Sequence, residues 1–326
     1  YYASRGLGDV YKRQIWPQVR VGKKTITAMI DTLCGNERNG VAGCRANGQV
    51  YEQDANIRSY GDLLEIENTS MEDNDFEVVG TEGLCYCFNT KIINSVGKFD
   101  ENLAYTDIMV DFQLRTLLAG YRNMISRNSY VYETETKKES AGWINQLCVA
   151  DRRYLRKKWN TNYFMLAANN KFNLLIDRAS EEKFSVLEVG CDMGANLLGI
   201  KNAHPNCKIY GLEINKSSVN VGKHVADICY GNIEEENVDF GEKFDYIIFG
   251  DVLDHLHNPL KTIEYCRTLL KKDGCIVASI PNVMHVSVME QLLRGEFRYT
   301  EVGLLDRTHI LSLIHISEPT RRVVIS

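Results

Sequence analysis

The sequence predicts an α/β protein whose C-terminal half folds as a doubly wound parallel sheet. Three observations carry this. From Phe184 onward, short apolar runs alternate with stretches of helical periodicity, the pattern of repeated strand–helix units. A glycine turn, Gly190-Cys-Asp-Met-Gly194, parts the first run from the helix behind it. An acid, Glu213, closes the second run.

Ahead of this half lies a mixed stretch, Ile15 to Tyr132. Glu77 to Phe88 alternates and reads as one strand containing Gly80 and Gly83. Gly97 to Glu101 reads as a turn. Asp111 opens a helix that ends near Gly120, a residue suited to the C-cap. Tyr130-Val-Tyr132 follows as a strand. The composition turns polar and charged over Glu133 to Ser140. From Asp151 to Arg178, apolar residues at Leu155, Trp159, Phe164, Leu166, Phe172, Leu175 and Ile176 predict one or two amphipathic helices bridging two domains.

In the second half, Phe184 to Val189 is the first strand, and Ala195 to Ala203 is the helix after the glycine turn. Pro205-Asn206 turns the chain into a strand from Lys208 to Ile214. Asn215 or Ser217 is suited to cap the next helix. Phe244 to Phe249 is a buried strand. A helix from Leu260 to Leu270, a turn from Lys271 to Gly274 and a strand from Cys275 to Ile280 complete the pattern. Met289, Leu292, Leu293 and Phe297 recur at helical spacing and read as core. Glu234 to Glu236 reads as a solvated face.

Bulk properties bound the function. The 326 residues are 44% apolar and 25% charged, enough for two globular domains. A net charge of −5 argues against a general nucleic-acid binder, which needs a basic face. No apolar run reaches membrane-spanning length. The ten cysteines are scattered, and Cys85 and Cys87 stand too close together for the usual zinc pair. No metal site is expected, and the thiols read as reduced ones in a cytoplasmic protein.

Strand, glycine turn, helix, strand and acid together hold a nucleoside at the carboxyl edge of a parallel sheet. The glycines let the backbone approach the ligand, and a carboxylate at Glu213 accepts both ribose hydroxyls. A dinucleotide site wants Gly-x-Gly-x-x-Gly, with pyrophosphate on a helix N-terminus. Here the spacing is Gly190-x-x-x-Gly194, with Asp192 in the middle. That carboxylate repels a pyrophosphate. Glu188 and Asp192 suit S-adenosylmethionine, whose ammonium and sulfonium are positive.

In order along the chain, LEVGCDMG, YGLEI, FDYIIFGDVLDHLHNP, LLKKDGCIVASIPN and GLLDRTHI resemble a class I S-adenosylmethionine-dependent methyltransferase, one with a Rossmann-like sheet, over about Phe184 to Ile310. The nearest resemblance is to members acting on sugars and small molecules. Asp192 departs from the glycine usual in the family. The resemblance implies that Glu188, Gly190 and Gly194, with Asp192 between them, line the methionine end of the cofactor. It implies that Glu213 holds the ribose and that Asn232 and Ile233 lie beside the adenine. Asp251 and Leu253 would lie near the methionine portion and the acceptor. His255, His285, Asp306 and His309 are candidate bases for the acceptor's proton, histidine being suited near neutrality. Asp306 and His309 are spaced to act as an orienting pair. Their alternative role is a turn closing the acceptor site.

VGTEGLCYCFNTKIINSVGKFDENL, DIMVDFQLRTLLAGYR and NSYVYE resemble the C-terminal half of a family 2 glycosyltransferase of GT-A fold. RRYLRKKWNTNYF resembles the bridge between such enzymes and a following methyltransferase. The resemblance places a general base near the final helix. The usual adjacent acid pair is replaced by Ile108 and Met109, so Asp107 and Asp111 are the candidates, Asp111 serving equally as a helix cap. The acidic motif for a divalent metal and a nucleotide sugar belongs to the full-length parent. Ser4 to Gln14 and Leu311 to Arg321 resemble translated sequencing-library adaptor, which sets residues 1–14 and 311–326 aside as artefact.

The expected organisation is a truncated GT-A domain at 15–135, a helical linker at 136–180 and a methyltransferase domain at 181–310 lacking its last strands. It implies S-adenosylmethionine as cofactor and a sugar, glycan intermediate or other small molecule as acceptor. The bacterial parent would build a cell-surface polysaccharide and associate peripherally with the membrane. The alternatives are a nicotinamide-dependent oxidoreductase and a non-catalytic glycan-binding or scaffold module. The acceptor, the sugar donor and the oligomeric state are not legible.

Overall fold

A computed structural model describes residues 11–15, 19–47, 55–68, 74–81, 85–103, 105–134, 141–161, 164–169, 171–300 and 303–310. In chain order come β1 (Tyr11–Ile15), β2 (Val19–Val21), α1 (Thr25–Cys34), β3 (Asn39–Ala46), α2 (Tyr60–Ile66), β4 (Phe76–Val78), β5 (Cys85–Asn89) and α3 (Ile93–Val96). Then come α4 (Tyr105–Leu118), β6 (Arg122–Glu133), α5 (Ala141–Trp159) and α6 (Lys171–Leu175). The alternating region follows as β7 (Ser185–Val189), α7 (Ala195–Ala203), β8 (Lys208–Glu213), α8 (Lys216–Gly222), β9 (Asp227–Tyr230), β10 (Phe244–Gly250), α9 (Pro259–Leu269), β11 (Leu270–Ser279) and α10 (Val286–Leu293).

The chain forms two compact units. One comprises Tyr1–Asn170, Asp192–Asn202 and Ser217–Ala226; the other comprises Lys171–Cys191, Ala203–Lys216 and Asp227–Ser326. The division departs from the expected boundary near residue 180 for a packing reason. Met193, Ala195 and Leu198 at and in α7, and Val221 in α8, share one apolar cluster with Val110, Leu114 and Leu117 of α4 and Leu155 of α5.

The first unit carries a mixed sheet in the order β1-β5-β3-β6-β2, with β4 also on β6. Tyr11 to Gln14, set aside in the sequence as adaptor-like, form most of an edge strand, with Tyr11 opposite Asn89 and Ile15 opposite Cys85. Residues 311–326 lie outside the described residues, as does Gly83. The single strand expected over Glu77 to Phe88 is two, β4 on β6 and β5 between β1 and β3. Helix α4 begins at Tyr105, upstream of the expected start, and ends before Gly120, whose φ of 82° only glycine adopts freely.

The second unit carries a wholly parallel sheet in the order β11-β10-β7-β8-β9. Its central strands read as continuous apolar runs because both faces are covered: Val186, Leu187, Ile247, Ile248 and Phe249 are fully buried. The order reverses at β7, whose neighbours are β8 and β10, so the chain diverges at their carboxyl ends and leaves a crevice for a ligand. Lys271 to Gly274, expected as a turn, bulge within β11 instead. Leu270 pairs with Phe244 and the next pairing is Cys275 with Tyr246, while Asp273 takes a φ of 68°. Of the apolar residues expected to pack on and after α10, Met289 is half-buried and none is fully buried. Leu292, Leu293 and Phe297 are exposed, so this stripe is not core.

Candidate cofactor and acceptor site

The second unit builds its site from strand ends. Glu188 is 2% exposed on the central strand β7. Beyond β7 the chain turns at Gly190, whose N–H donates to the Leu212 carbonyl of β8 at 2.8 Å. Gly190 has a φ of 71°, and a Cβ there would lie 2.5 Å from Cγ2 of Val252. Conformation and space both require glycine, the place of a Cβ being filled by Val252. Glu213 ends β8, and its Oε1 accepts from the N–H of Asn215 at 2.7 Å, which fixes the carboxylate at the strand tip.

Asp192 and Gly194 continue the turn at φ values of 47° and 88°. Aspartate is among the few residues that tolerate this left-handed conformation. Within its own unit the Asp192 carboxylate accepts from Ser218 Oγ at 2.6 Å and from the Met165 N–H at 3.0 Å. The departure from glycine is thereby accommodated and put to structural use.

Asn232 accepts from the Glu234 N–H at 3.0 Å and caps a short 3-10 turn over Ile233–Glu235. Ile233 and Leu253 belong to the sheet's core cluster, so only their main chains are offered to a ligand. The acidic run after Asn232 is more than a solvated face. Glu234 accepts from the Asn258 N–H at 2.9 Å and lies 3.2 Å from His257, contacts that hold its carboxyl below the usual range against partial burial. At the tip of β10, Asp251 has a φ of 53° and accepts from Ser279 Oγ at 2.8 Å.

Directly after Asp251 and Leu253 stands a cluster that the sequence revealed only in part. Asp254 is completely buried, its Oδ2 lying 3.1 Å from Nε2 of His309 and 3.8 Å from Nε2 of His255. The two imidazole rings meet edge to face, 4.8 Å between centroids. Burial pushes the Asp254 carboxyl up, the two histidines opposing and Asp251 reinforcing the shift. Asp306, expected to orient His309, instead accepts from the N–H and hydroxyl of Thr308 at 2.8 and 2.7 Å and builds the turn. The acid facing His309 is Asp254. Its signal was its position in Asp251-Val-Leu-Asp-His, one residue before a candidate base. His285 lies apart from this cluster, as the N-cap of α10 with its ring accepting from the Ser287 N–H.

In the first unit, Asp111 lies inside α4 and caps nothing. Its buried carboxylate takes Arg115 at 2.9 Å, Lys158 at 2.7 Å and the Trp159 indole N–H at 3.0 Å. Asp107 pairs with Arg152 at 2.7 Å, and burial pushes its carboxyl up against that cation.

Residues 187–276 match a family described as "Methyltransferase domain". Among curated proteins, the Ubiquinone biosynthesis O-methyltransferase of Glaesserella parasuis serovar 5 is 29% identical over 123 residues, covering 34% of this chain and 51% of that protein. The protein of the same name from Cereibacter sphaeroides (strain ATCC 17029) is 30% identical over 107 residues, covering 31% and 42%. The chain thus spans about half the length of the curated relatives it matches. Among solved structures, PKMT2 from Rickettsia typhi in complex with AdoHcy is 24% identical, covering 34% of this chain and 23% of that one, with a TM-score of 0.30. No helix among the described residues is long and apolar enough to cross a membrane.

Proposed function

We propose that this chain, whose residues 187–276 are a methyltransferase domain with S-adenosylmethionine as its cofactor, moves the methyl group to a hydroxyl oxygen of a small-molecule acceptor. One observation carries the reading. The bare turn at Gly190 and the carboxylate of Glu213 stand at the carboxyl ends of adjacent parallel strands, joined by the Gly190 N–H to Leu212 carbonyl bond. That places a backbone free of side chain next to an acid, at the strand order's reversal.

The residues fit a cationic nucleoside. Glu188 and Asp251 bring negative charge to the amino-acid end, beside the turn at Gly190. Glu213 accepts the ribose hydroxyls. Asn232 and Ile233 border the adenine through their main chains, and Asp192 serves by holding the turn in shape. The bound cofactor supplies a methyl group on a sulfonium, a good leaving group. What the protein adds is alignment of the acceptor oxygen with it and exclusion of water. In the metal-free chain, His255 takes the acceptor's proton, being the more exposed imidazole of the cluster, with its side chain 32% exposed.

Oxygen as the accepting atom rests on the relatives' names. A sugar or glycan intermediate as acceptor, in a cytoplasmic enzyme joined to a glycosyltransferase, rests on the resemblance of the first half to the GT-A fold. In that parent Asp107 or Asp111 would serve glycosyl transfer. Here Asp111 is committed to three donors, so no glycosyl transfer is expected from this chain. The test is release of S-adenosylhomocysteine from S-adenosylmethionine with a panel of catechols, sugars and nucleotide sugars. Acceptor-dependent release, with a product one methylene heavier, supports the reading. A folded chain that binds cofactor yet releases nothing with any acceptor refutes the acceptor classes named.

A further inference from the structure

We propose that Asp254, His255 and His309 form a site for one divalent transition-metal cation. One carboxylate oxygen and one nitrogen from each imidazole come within 4.8 Å of one another, the span that a single ion bridges. The donor set of one carboxylate and two imidazoles, with room for further ligands, is that of catalytic zinc and non-haem iron centres, and manganese and cobalt accept it too.

Two independent features distinguish this set from a chance cluster. First, Asp254 is completely buried, yet among the described residues no group but its own backbone N–H is aimed at its carboxylate oxygens. His309 is near enough at 3.1 Å but badly directed to donate. A buried carboxylate in that condition is costly, and a cation removes the cost. Asp251 nearby adds to the field favouring positive charge.

Second, His255 is held as a ligand would be. Its Nδ1 lies 3.1 Å from both the Thr308 carbonyl and the Thr308 hydroxyl oxygen. The hydroxyl proton is already given to Asp306. Both Thr308 oxygens therefore accept, Nδ1 carries the proton, and the lone pair sits on Nε2, facing Asp254. A metal-bound histidine is supported in this manner through its other ring nitrogen. The remaining coordination positions would take water or an acceptor hydroxyl, whose pKa the ion lowers. The site does not depend on the methyl-transfer reading, because its test reads the ion itself.

The experiment is titration of the metal-stripped full chain with Co2+, followed by visible absorption. The expected result is one equivalent bound, with ligand-field bands of a nitrogen–oxygen site and no near-ultraviolet thiolate band. His255→Ala and His309→Ala should each weaken binding at least ~10-fold, the order of loss for a ligand or its support. Circular dichroism and S-adenosylhomocysteine binding establish that each variant is folded. Asp254→Asn should abolish the bands, and the more exposed His255 keeps the test decisive if that variant does not fold. A folded wild type that shows no bands overturns the proposal. So does a thiolate spectrum, or bands unchanged in both histidine variants.

Discussion

Nε2 of His309 lies 3.1 Å from Oδ2 of Asp254, while the N–H of Ile310 donates to the Asp254 carbonyl at 2.8 Å. A single residue after β10 thereby meets the turn over 303–310 twice, by the charge of its side chain beside an imidazole and by a main-chain hydrogen bond. Asp254→Ala removes the first of these contacts. Amide exchange across 303–310 should rise ~10-fold or more, since a segment fastened by few contacts opens locally at little cost. Exchange mass spectrometry measures it, and unchanged protection would detach Asp254 from the turn.

Gly190 is expected to resist substitution for two separable reasons. Alanine meets both the left-handed φ and Cγ2 of Val252. Gly190→Ala should cost about 1–3 kcal/mol for the backbone and a similar amount for the overlap. Adding Val252→Ala should restore only the second part. Urea denaturation of the single and double variants tests this. Full recovery would mean that the backbone conformation is not demanding.

Asp192→Ala should lower stability by about 1–3 kcal/mol, through loss of the bonds from Ser218 and Met165. Affinity for S-adenosylhomocysteine should change little, because the carboxylate is engaged in shaping the turn. Thermal unfolding read beside calorimetry separates the two effects. A large affinity loss at unchanged stability would return Asp192 to direct cofactor contact.

Asp111→Ala should destabilise the first unit by about 3–5 kcal/mol, the scale for breaking a buried ion pair. It would leave Lys158 and Arg115 without their buried partner. A variant as stable as wild type would free Asp111 for a chemical role.

Alkaline pH offers a test of burial. Burial pushes the Cys266 thiol up to about 12, and the hydrogen bond to Glu242, with burial, raises Tyr210 to about 12. Both folded-state values lie above the ordinary ones. The stability they contribute is therefore whole below about pH 9 and is lost as the pH climbs toward 12. Urea midpoints should fall between pH 8 and pH 11, both conditions chosen to bracket that window. Iodoacetamide should label exposed Cys34 in the native chain and fully buried Cys266 only after unfolding.

The parallel sheet was legible because its signals are local. The apolar runs of β7 and β10 and the glycine at 190 each report their own conformation. Ala195 to Ala203 was read as α7 with its observed limits. Three things were not legible. Glu77 to Phe88 reads as one strand, yet its two ends pair with different strands, a choice made by partners far away in sequence. Leu292, Leu293 and Phe297 keep helical spacing without a surface to pack on, so periodicity alone misassigned them to the core. The role of Asp254 depends on His309, which comes next to it only when the 303–310 turn folds back. Asp306, three residues before His309, was the nearer acid in sequence and the wrong one in space.

Calorimetric titration of the chain with S-adenosylhomocysteine, comparing wild type with Glu213→Ala, reads the cofactor site itself. Wild type should bind stoichiometrically and the variant at least ~10-fold more weakly, the size of about 1.5–3 kcal/mol for hydrogen bonds to a charged group. No binding by a folded wild type, or equal binding by the two, would contradict a cofactor site at the ends of β7 and β8.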